Sequence, residues 1–174
     1  EKGQVWSWDQ STLTFRVESL KASAPITAMT SLDNHRLLVT TEGDGLYLTD
    51  EHLSVLRHMT VAYNPELASN TLHSLHKDNS GNVWLEAHAT GVVYFEAASG
   101  RLFHFRPKSD EDIGLAQTQP NFFVVEDGKG RIWVHPRSGG FAEFNPLTKE
   151  LIPFYNNPDD AERRFFNTMH DAYV

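Results

Sequence analysis

The stretch that decides the fold runs from residue 76 to residue 94 and reads HKDNSGNVWLEAHATGVVY. It holds a polar turn, a short apolar strand centred on Trp84, a second turn that ends at Gly91, and the start of another strand. The same spacing recurs 49 residues later, where Asp127, Gly130, Trp133, Gly140 and Phe144 stand as Asp78, Gly81, Trp84, Gly91 and Phe95 do here. A fixed period of this length indicates a repeat architecture.

Weaker copies of the unit lie on both sides of these two. Residues 25–60 repeat the spacing with Leu38 in place of the tryptophan and His35 in place of the turn glycine. Residues 4–17 match the end of the unit, and NTMHDAY at 167–173 repeats NTLHSLH at 70–76. The chain therefore holds about three full units and two partial ones.

Each unit places short apolar runs between turn signals, which favours four β-strands over helices. A four-stranded unit with a period of roughly 40 to 50 residues is typical of a β-propeller blade. We predict an all-β fold, a β-propeller segment with the last hairpin of a blade at 1–20, four-stranded blades at 24–62, 66–106 and 117–157, and the first strand of another blade at 165–174. The end blades would leave apolar faces uncovered, so we expect the segment to self-associate or to close irregularly.

Composition excludes several classes of partner. The formal charge of −8 argues against a nucleic-acid or anionic-membrane surface, since both select for clustered Lys and Arg. The chain has no cysteine, and no apolar run approaches the roughly 18–20 residues of a membrane span. No P-loop, nucleophile elbow or metal-binding helix motif is present, so we expect no cofactor. The chain starts at Glu1 without an initiator Met or a signal peptide, which is typical of a piece of a longer protein.

Residues kept at equivalent positions of the repeat are expected to serve the fold. Asp78 and Asp127 open tight turns, where a carboxylate accepts backbone N–H groups. The glycines of the two clear units are expected to supply positive φ angles, and the tryptophans to pack between neighbouring blades. These residues are Gly81, Gly91, Gly130, Gly140, Trp84 and Trp133.

The candidate binding residues are those that differ between units at the turn between the second and third strands. When the units are aligned, one position is occupied by Thr40, Glu86 and His135. The position two residues later is occupied by Glu42, His88 and Arg137. In a propeller these turns share a face with the connections between blades, and loops on a rigid scaffold commonly bind ligands. Their planar polar groups suit sugar hydroxyls or uronate carboxylates. We predict ligand binding by Glu42, Glu86, His88, His135 and Arg137, together with Asn70 and Asn121 before two first strands; solvated loop residues are the alternative.

Metal binding and catalysis are not predicted. His73 and His76 form an H-x-x-H pair, but residues three apart on a strand are expected to point to opposite faces, which argues against a shared zinc. Glu42, Asp44 and Glu86 are candidates for a pair of carboxylates, which glycoside hydrolysis needs about 5–9 Å apart. Nothing in the sequence sets the distance between them.

The repeated motif D-x-x-G-[NR]-[VI]-W-[LV] resembles the two-component regulator propeller repeat. Residues 78–85 and 127–134 carry it, whereas the copy at 33–47 lacks both its glycine and its tryptophan. The resemblance implies the periplasmic sensor region of a hybrid two-component system histidine kinase. It also implies an oligosaccharide ligand, and as partners the remaining blades and the kinase region of a longer parent chain.

Two other functions remain open. The first is a lyase or hydrolase that acts on polysaccharides from a propeller scaffold, in which replacement of Glu42 or Glu86 would abolish turnover. The second is a propeller that docks another protein and binds no small ligand. The absence of a legible catalytic constellation favours the sensor.

Overall fold

The computed structural model describes residues 3–33, 35–105, 122–136 and 141–154. These residues form antiparallel β-strands and one short 3₁₀ turn at Pro65–Leu67. The strands are β1 (Gln4–Asp9), β2 (Thr14–Ser19), β3 (Ile26–Ser31), β4 (Arg36–Thr41), β5 (Leu46–Asp50), β6 (Val55–Met59), β7 (Leu72–Lys77), β8 (Val83–Ala87), β9 (Gly91–Glu96), β10 (Arg101–Phe105), β11 (Phe122–Glu126), β12 (Ile132–Pro136), β13 (Phe141–Asn145) and β14 (Glu150–Phe154).

The strands pair into units that follow the sequence. Strands β3–β6 form the first sheet, β7–β10 the second and β11–β14 the third, each with strand neighbours in chain order, and β1–β2 form a hairpin. The prediction of an all-β chain made of four-stranded units is confirmed, and the three sheets lie within 24–62, 66–106 and 117–157. The strand expected at 165–174 lies outside the described residues.

Successive units pack face to face through apolar side chains. Leu38 and Leu46 of the first sheet share a core with Leu85 and Phe95 of the second. A second core lies between the second and third sheets, and a third joins the hairpin to the first sheet. The sheets are therefore held together by buried faces, and the first and second sheets each bury apolar side chains on both sides.

Trp84 lies at the centre of the core between the second and third sheets. Its side chain is 1% exposed, and its ring centroid is 4.7 Å from that of Phe144 in the third sheet and 4.7 Å from that of Tyr94. The prediction that this tryptophan packs between neighbouring units is confirmed. Leu38, which takes its place in the first sheet, is fully buried against the second sheet.

The turn aspartates accept the hydrogen bonds expected of them. Asp127 Oδ1 accepts the backbone N–H groups of Lys129 and Arg131 at 2.9 and 3.0 Å, and Asp78 Oδ1 accepts that of Asn82 at 2.8 Å. In addition, the indole N–H of Trp133 donates to Asp127 Oδ2 at 3.1 Å. The aspartate therefore ties the turn to the tryptophan six residues later, which the sequence pattern alone did not reveal.

We expect Asp127→Asn to lower the melting temperature at pH 7. Burial alone would raise the pKa of Asp127, but the hydrogen bonds from Arg131 and Trp133 hold it well below its usual range. A carboxyl with a lowered pKa stabilises the fold above its unfolded pKa of about 3.9, and this contribution is lost as the pH falls through the folded value. Melting curves of both proteins should therefore converge as the pH drops from 5 towards 2. A constant difference over that range would contradict the assignment.

The hairpin β1–β2 matches the last two strands of a unit. A Cβ built on Gly3 would lie 2.2 Å from the carbonyl oxygen of Leu20, and one on Gly91 would lie 2.3 Å from that of Phe105. Gly91 opens the third strand of its sheet and Phe105 ends the fourth. One face of the hairpin is exposed and apolar, with Trp6 67% and Phe15 65% exposed.

Candidate functional site

Backbone hydrogen bonds bring the predicted turns and connections to one edge of the sheets. Glu42 N–H donates to the carbonyl of Pro25 at 2.9 Å, and His88 N–H donates in the same way to Thr71 at 3.0 Å in the next sheet. Glu42 also forms an isolated antiparallel bridge with Thr71. The two turns thus flank the start of β7, and we call Glu42, Asn70, Thr71 and His88 the rim.

Asn70 builds the rim from within. Its carbonyl accepts the N–H groups of Gly43 and Gly45 at 3.1 and 2.8 Å, and its Oδ1 accepts the N–H of Val61 at 2.8 Å. It therefore fastens the β4–β5 turn of the first sheet to the connection that leads into the second sheet. We did not predict this structural role from the sequence, and placed Asn70 among the ligand-binding residues instead.

Glu42 and His88 present the exposed polar groups of the rim. The ring of His88 lies edge-on to that of His73, with centroids 5.5 Å apart and an interplanar angle of 82°. A carboxylate and two imidazoles thus lie on turns and a strand end that backbone hydrogen bonds hold in place. Such groups can exchange hydrogen bonds with the hydroxyls of a ligand.

Glu86 does not lie on an exposed turn, and that part of the sequence prediction is wrong. It belongs to β8, where it is 5% exposed and lines a cavity between the second and third sheets. Thr40, its equivalent in the first sheet, is fully buried in β4. Thr40 and Glu86 therefore lie in strands and not in turns, because β4 and β8 extend further than the turn signals in the sequence indicated.

The third unit contributes little that can be described. His135 lies in β12, with its backbone paired to Phe123 of β11. Asn121 and Arg137 lie outside the described residues. Their predicted part in ligand binding stays a prediction.

A second polar cluster near the rim was missed by sequence reasoning. Asp44 Oδ2 accepts the backbone N–H of Ser23 at 2.6 Å and the hydroxyl of Tyr47 at 2.7 Å, and the ring of Tyr47 stacks on that of His58 at 4.0 Å. Burial alone would raise the pKa of Asp44, but the hydrogen bonds from Tyr47 and Ser23 lower it. Burial and the Asp44 carboxylate raise the pKa of Tyr47. The pair is therefore ionised at Asp44 and protonated at Tyr47 at neutral pH.

His73 and His76 lie on the same side of their sheet, contrary to the sequence expectation. A β-bulge between His73 and Leu75 shifts the register, so that His73 lies opposite Glu86 and His76 opposite Trp84. Glu86 and Trp84 are two residues apart in β8 and share a face. Among the described residues no group of three or more His, Cys, Asp or Glu side chains is placed to hold a metal ion.

None of the described segments is a helix long and apolar enough to cross a membrane. No protein-family model matches the sequence, and no curated protein matches it. Solved structures do. The extracellular domain of BT4673, a candidate hybrid two-component system of B. thetaiotaomicron, matches over 89% of this chain with a TM-score of 0.61 at 20% identity.

Two further structures share the fold. The extracellular domain of BT3049, from the same organism, matches over 86% of this chain with a TM-score of 0.58 at 19% identity. PorZ, a surface component of the type-IX secretion system of Porphyromonas gingivalis, matches over 92% of this chain with a TM-score of 0.56 at 15% identity.

The chain spans 22% of the length of each two-component domain and 23% of PorZ. At these identities the likeness concerns the fold. The resemblance found in the repeat is confirmed at that level: the chain has the fold of a part of the extracellular domains of these bacterial two-component systems.

Proposed function

We propose that this chain is a β-propeller segment from the periplasmic ligand-sensing region of a hybrid two-component sensor histidine kinase. The observation that carries the proposal is the fold shared with such an extracellular domain over 89% of the chain. The stacking of four-stranded sheets in chain order, with an additional hairpin before them, supports the propeller architecture. The remaining blades and the kinase belong to the parent chain.

The ligand we propose is an oligosaccharide that binds along the rim. Glu42 and His88 are exposed on turns of successive sheets, and both turns donate backbone hydrogen bonds to the strand starts beside them. A rigid scaffold lowers the entropy cost of binding, because the loops need not be ordered when the ligand arrives. Arg137 and Asn121 of the third unit would extend the same surface.

Signalling requires the ligand to favour one arrangement of the parent chain over another. A ligand that bound both arrangements equally would shift nothing, however tightly it bound. The oligosaccharide must therefore also contact a part that moves relative to the rim. We assign that part to the parent chain outside these sheets.

The test is a titration of oligosaccharides into the complete ectodomain that contains this chain. The double variant Glu42→Ala/His88→Ala should weaken binding at least about tenfold, because each side chain loses a hydrogen bond to the sugar. Lys129→Ala is the matched control, since Lys129 is exposed on a turn that holds Asp127 through its backbone N–H alone. Its affinity and melting temperature should equal those of the wild type.

Unchanged affinity in the double variant would remove the rim as the binding site. No binding of any oligosaccharide, together with a stable protein complex of the ectodomain, would instead support the second candidate, a docking propeller. The exposed apolar face of Trp6, Trp8 and Phe15 belongs to the incomplete blade at 1–20 and would be covered by a preceding blade of the parent chain, so we expect it to drive self-association only of the isolated segment.

A further inference from the structure

A threonine side chain joins the first strands of the first and second sheets next to the rim. The Thr27 hydroxyl of β3 lies 2.6 Å from the carbonyl oxygen of Leu72, the first residue of β7. A carbonyl oxygen only accepts, so Thr27 donates this hydrogen bond. Leu72 follows Thr71 of the rim, and Thr27 lies two residues after Pro25, whose carbonyl accepts the N–H of Glu42. The bond therefore connects the two sheets at the place where the rim is built.

A β-bulge gives Thr27 this position. The pairing of β3 with β4 passes from Ile26 opposite Thr41 to Ala28 opposite Thr40, which leaves Thr27 outside the ladder. The Thr27 and Thr40 hydroxyls lie 2.8 Å apart, and the Thr40 hydroxyl donates to the carbonyl of Ala28 at 3.2 Å. Because Thr40 is fully buried in β4, its contact holds the Thr27 hydroxyl in place.

A lysine joins the same two strands at their other ends. Lys77, the last residue of β7, donates from Nζ to the carbonyl oxygens of Ser31 and Leu32 at 2.7 and 3.1 Å. Ser31 is the last residue of β3. Thr27 and Lys77 therefore hold β3 and β7 side by side at both ends, and Thr27 is the one of the two that lies beside the rim.

The position of Lys77 is occupied differently in the third sheet. Glu126 stands 49 residues after Lys77, and a carboxylate carries no donor for a carbonyl oxygen. Its Oε2 instead accepts the N–H of Asn79 in the turn after β7, at 2.8 Å. The lysine contact between first strands thus belongs to the two sheets whose turns present Glu42 and His88.

A constant spacing between these two sheets matters to a ligand that spans the rim. Glu42 lies on a turn of the first sheet and His88 on a turn of the second. A ligand that contacts both binds at a lower entropy cost when the spacing is already set. We propose that Thr27 is a positioning residue of the rim, whose hydroxyl fixes the spacing between these two turns. This role rests on the proposed function, in which the rim binds the ligand.

The test is amide hydrogen exchange on the complete ectodomain without any ligand. The N–H groups of Gly43 and Gly45 report on the spacing, because both donate to the carbonyl of Asn70 in the connection to the second sheet. Thr27→Val keeps the shape of the side chain but removes the hydroxyl, and should raise both exchange rates about threefold to tenfold, as expected for loss of one hydrogen bond. Thr27→Ser retains the hydroxyl and should restore the wild-type rates.

Lys77→Met is the matched control, because it removes the contact at the other end of the same two strands. It should leave the Gly43 and Gly45 rates unchanged even where it lowers the melting temperature. The amides of Asp78 and Gly81, which are hydrogen-bonded within the turn after β7, should keep their rates in the Thr27 variants.

The positioning role is overturned if Thr27→Val leaves the Gly43 and Gly45 rates unchanged, or if Thr27→Ser does not restore them. It is also overturned if Lys77→Met raises them equally, or if Thr27→Val raises the rates of Asp78 and Gly81 as much, since the loosening is then general. No oligosaccharide takes part in this experiment. Failure of the proposed function would appear as absent binding in the titration, with the exchange pattern intact.

Discussion

Replacing Trp84 with alanine is expected to lower the free energy of unfolding by about 3–5 kcal/mol. The ring is 1% exposed and contacts both the aromatic side chains of its own sheet and Phe144 of the third sheet. Its removal would leave a void that rigid sheets on both sides cannot close. The indole N–H, which lies 3.4 Å from Asp78 Oδ2, would also be lost. Urea denaturation followed by circular dichroism measures the change.

Trp8→Ala is the matched control for this prediction. The same substitution is made there on a side chain that is 50% exposed and contacts Phe15 across the hairpin at 4.6 Å. It should cost less than about 1.5 kcal/mol, since little buried area is removed. Equal losses at the two positions would show that Trp84 does not hold the second and third sheets together.

Gly91→Ala is expected to cost at least about 3 kcal/mol, although it adds only a methyl group. The residue has φ of +130°, a conformation that side chains rarely adopt. The new Cβ would lie 2.3 Å from the carbonyl oxygen of Phe105, which is backbone and cannot rotate away. Strands β9 and β10 would have to separate at the end that carries the β8–β9 turn of the rim.

Gly81→Ala separates the cost of the positive φ angle from the cost of the steric clash with backbone. Gly81 has φ of +84°, but a Cβ placed there meets nothing within 4 Å. The substitution should cost only the conformational penalty of about 1–2 kcal/mol. Denaturation midpoints of both variants measured under the same conditions provide the comparison. If Gly91→Ala were as mild as Gly81→Ala, the close approach to Phe105 would not constrain the fold.

The four-stranded units could be predicted because their signals are local. Asp78, Gly81 and Trp84 are within seven residues of each other, and the same group at 127–133 confirmed the register of the repeat. Turn chemistry and strand alternation depend on neighbours along the chain, so one sequence suffices to detect them. The degenerate first unit was found by spacing alone, and the structure places Leu38 of that unit in a buried strand, as Trp84 is in the second.

The candidate site was predicted less well, because its geometry depends on contacts between units. The turn signals ended the strands too early, and Glu86 was assigned to an exposed turn although β8 carries it into an interface. Asp44 and Ser23 are 21 residues apart, and no local pattern indicates their hydrogen bond. The bulge in β7 reverses the expected facing of His73 and His76, and it is visible only in the pairing with β8.

The sequence by itself determined the strands, their grouping into sheets and the turn residues that separate them, since hydrophobic alternation and turn preferences act over a few residues. Only the tertiary structure decided which polar side chains become buried between the sheets and which stay on the rim. A shift of one residue in strand register moves a side chain from one face to the other. His76 lies on the same face as Glu86 because of the bulge in β7, and the third sheet packs against that face. The local sequence pattern predicts neither feature.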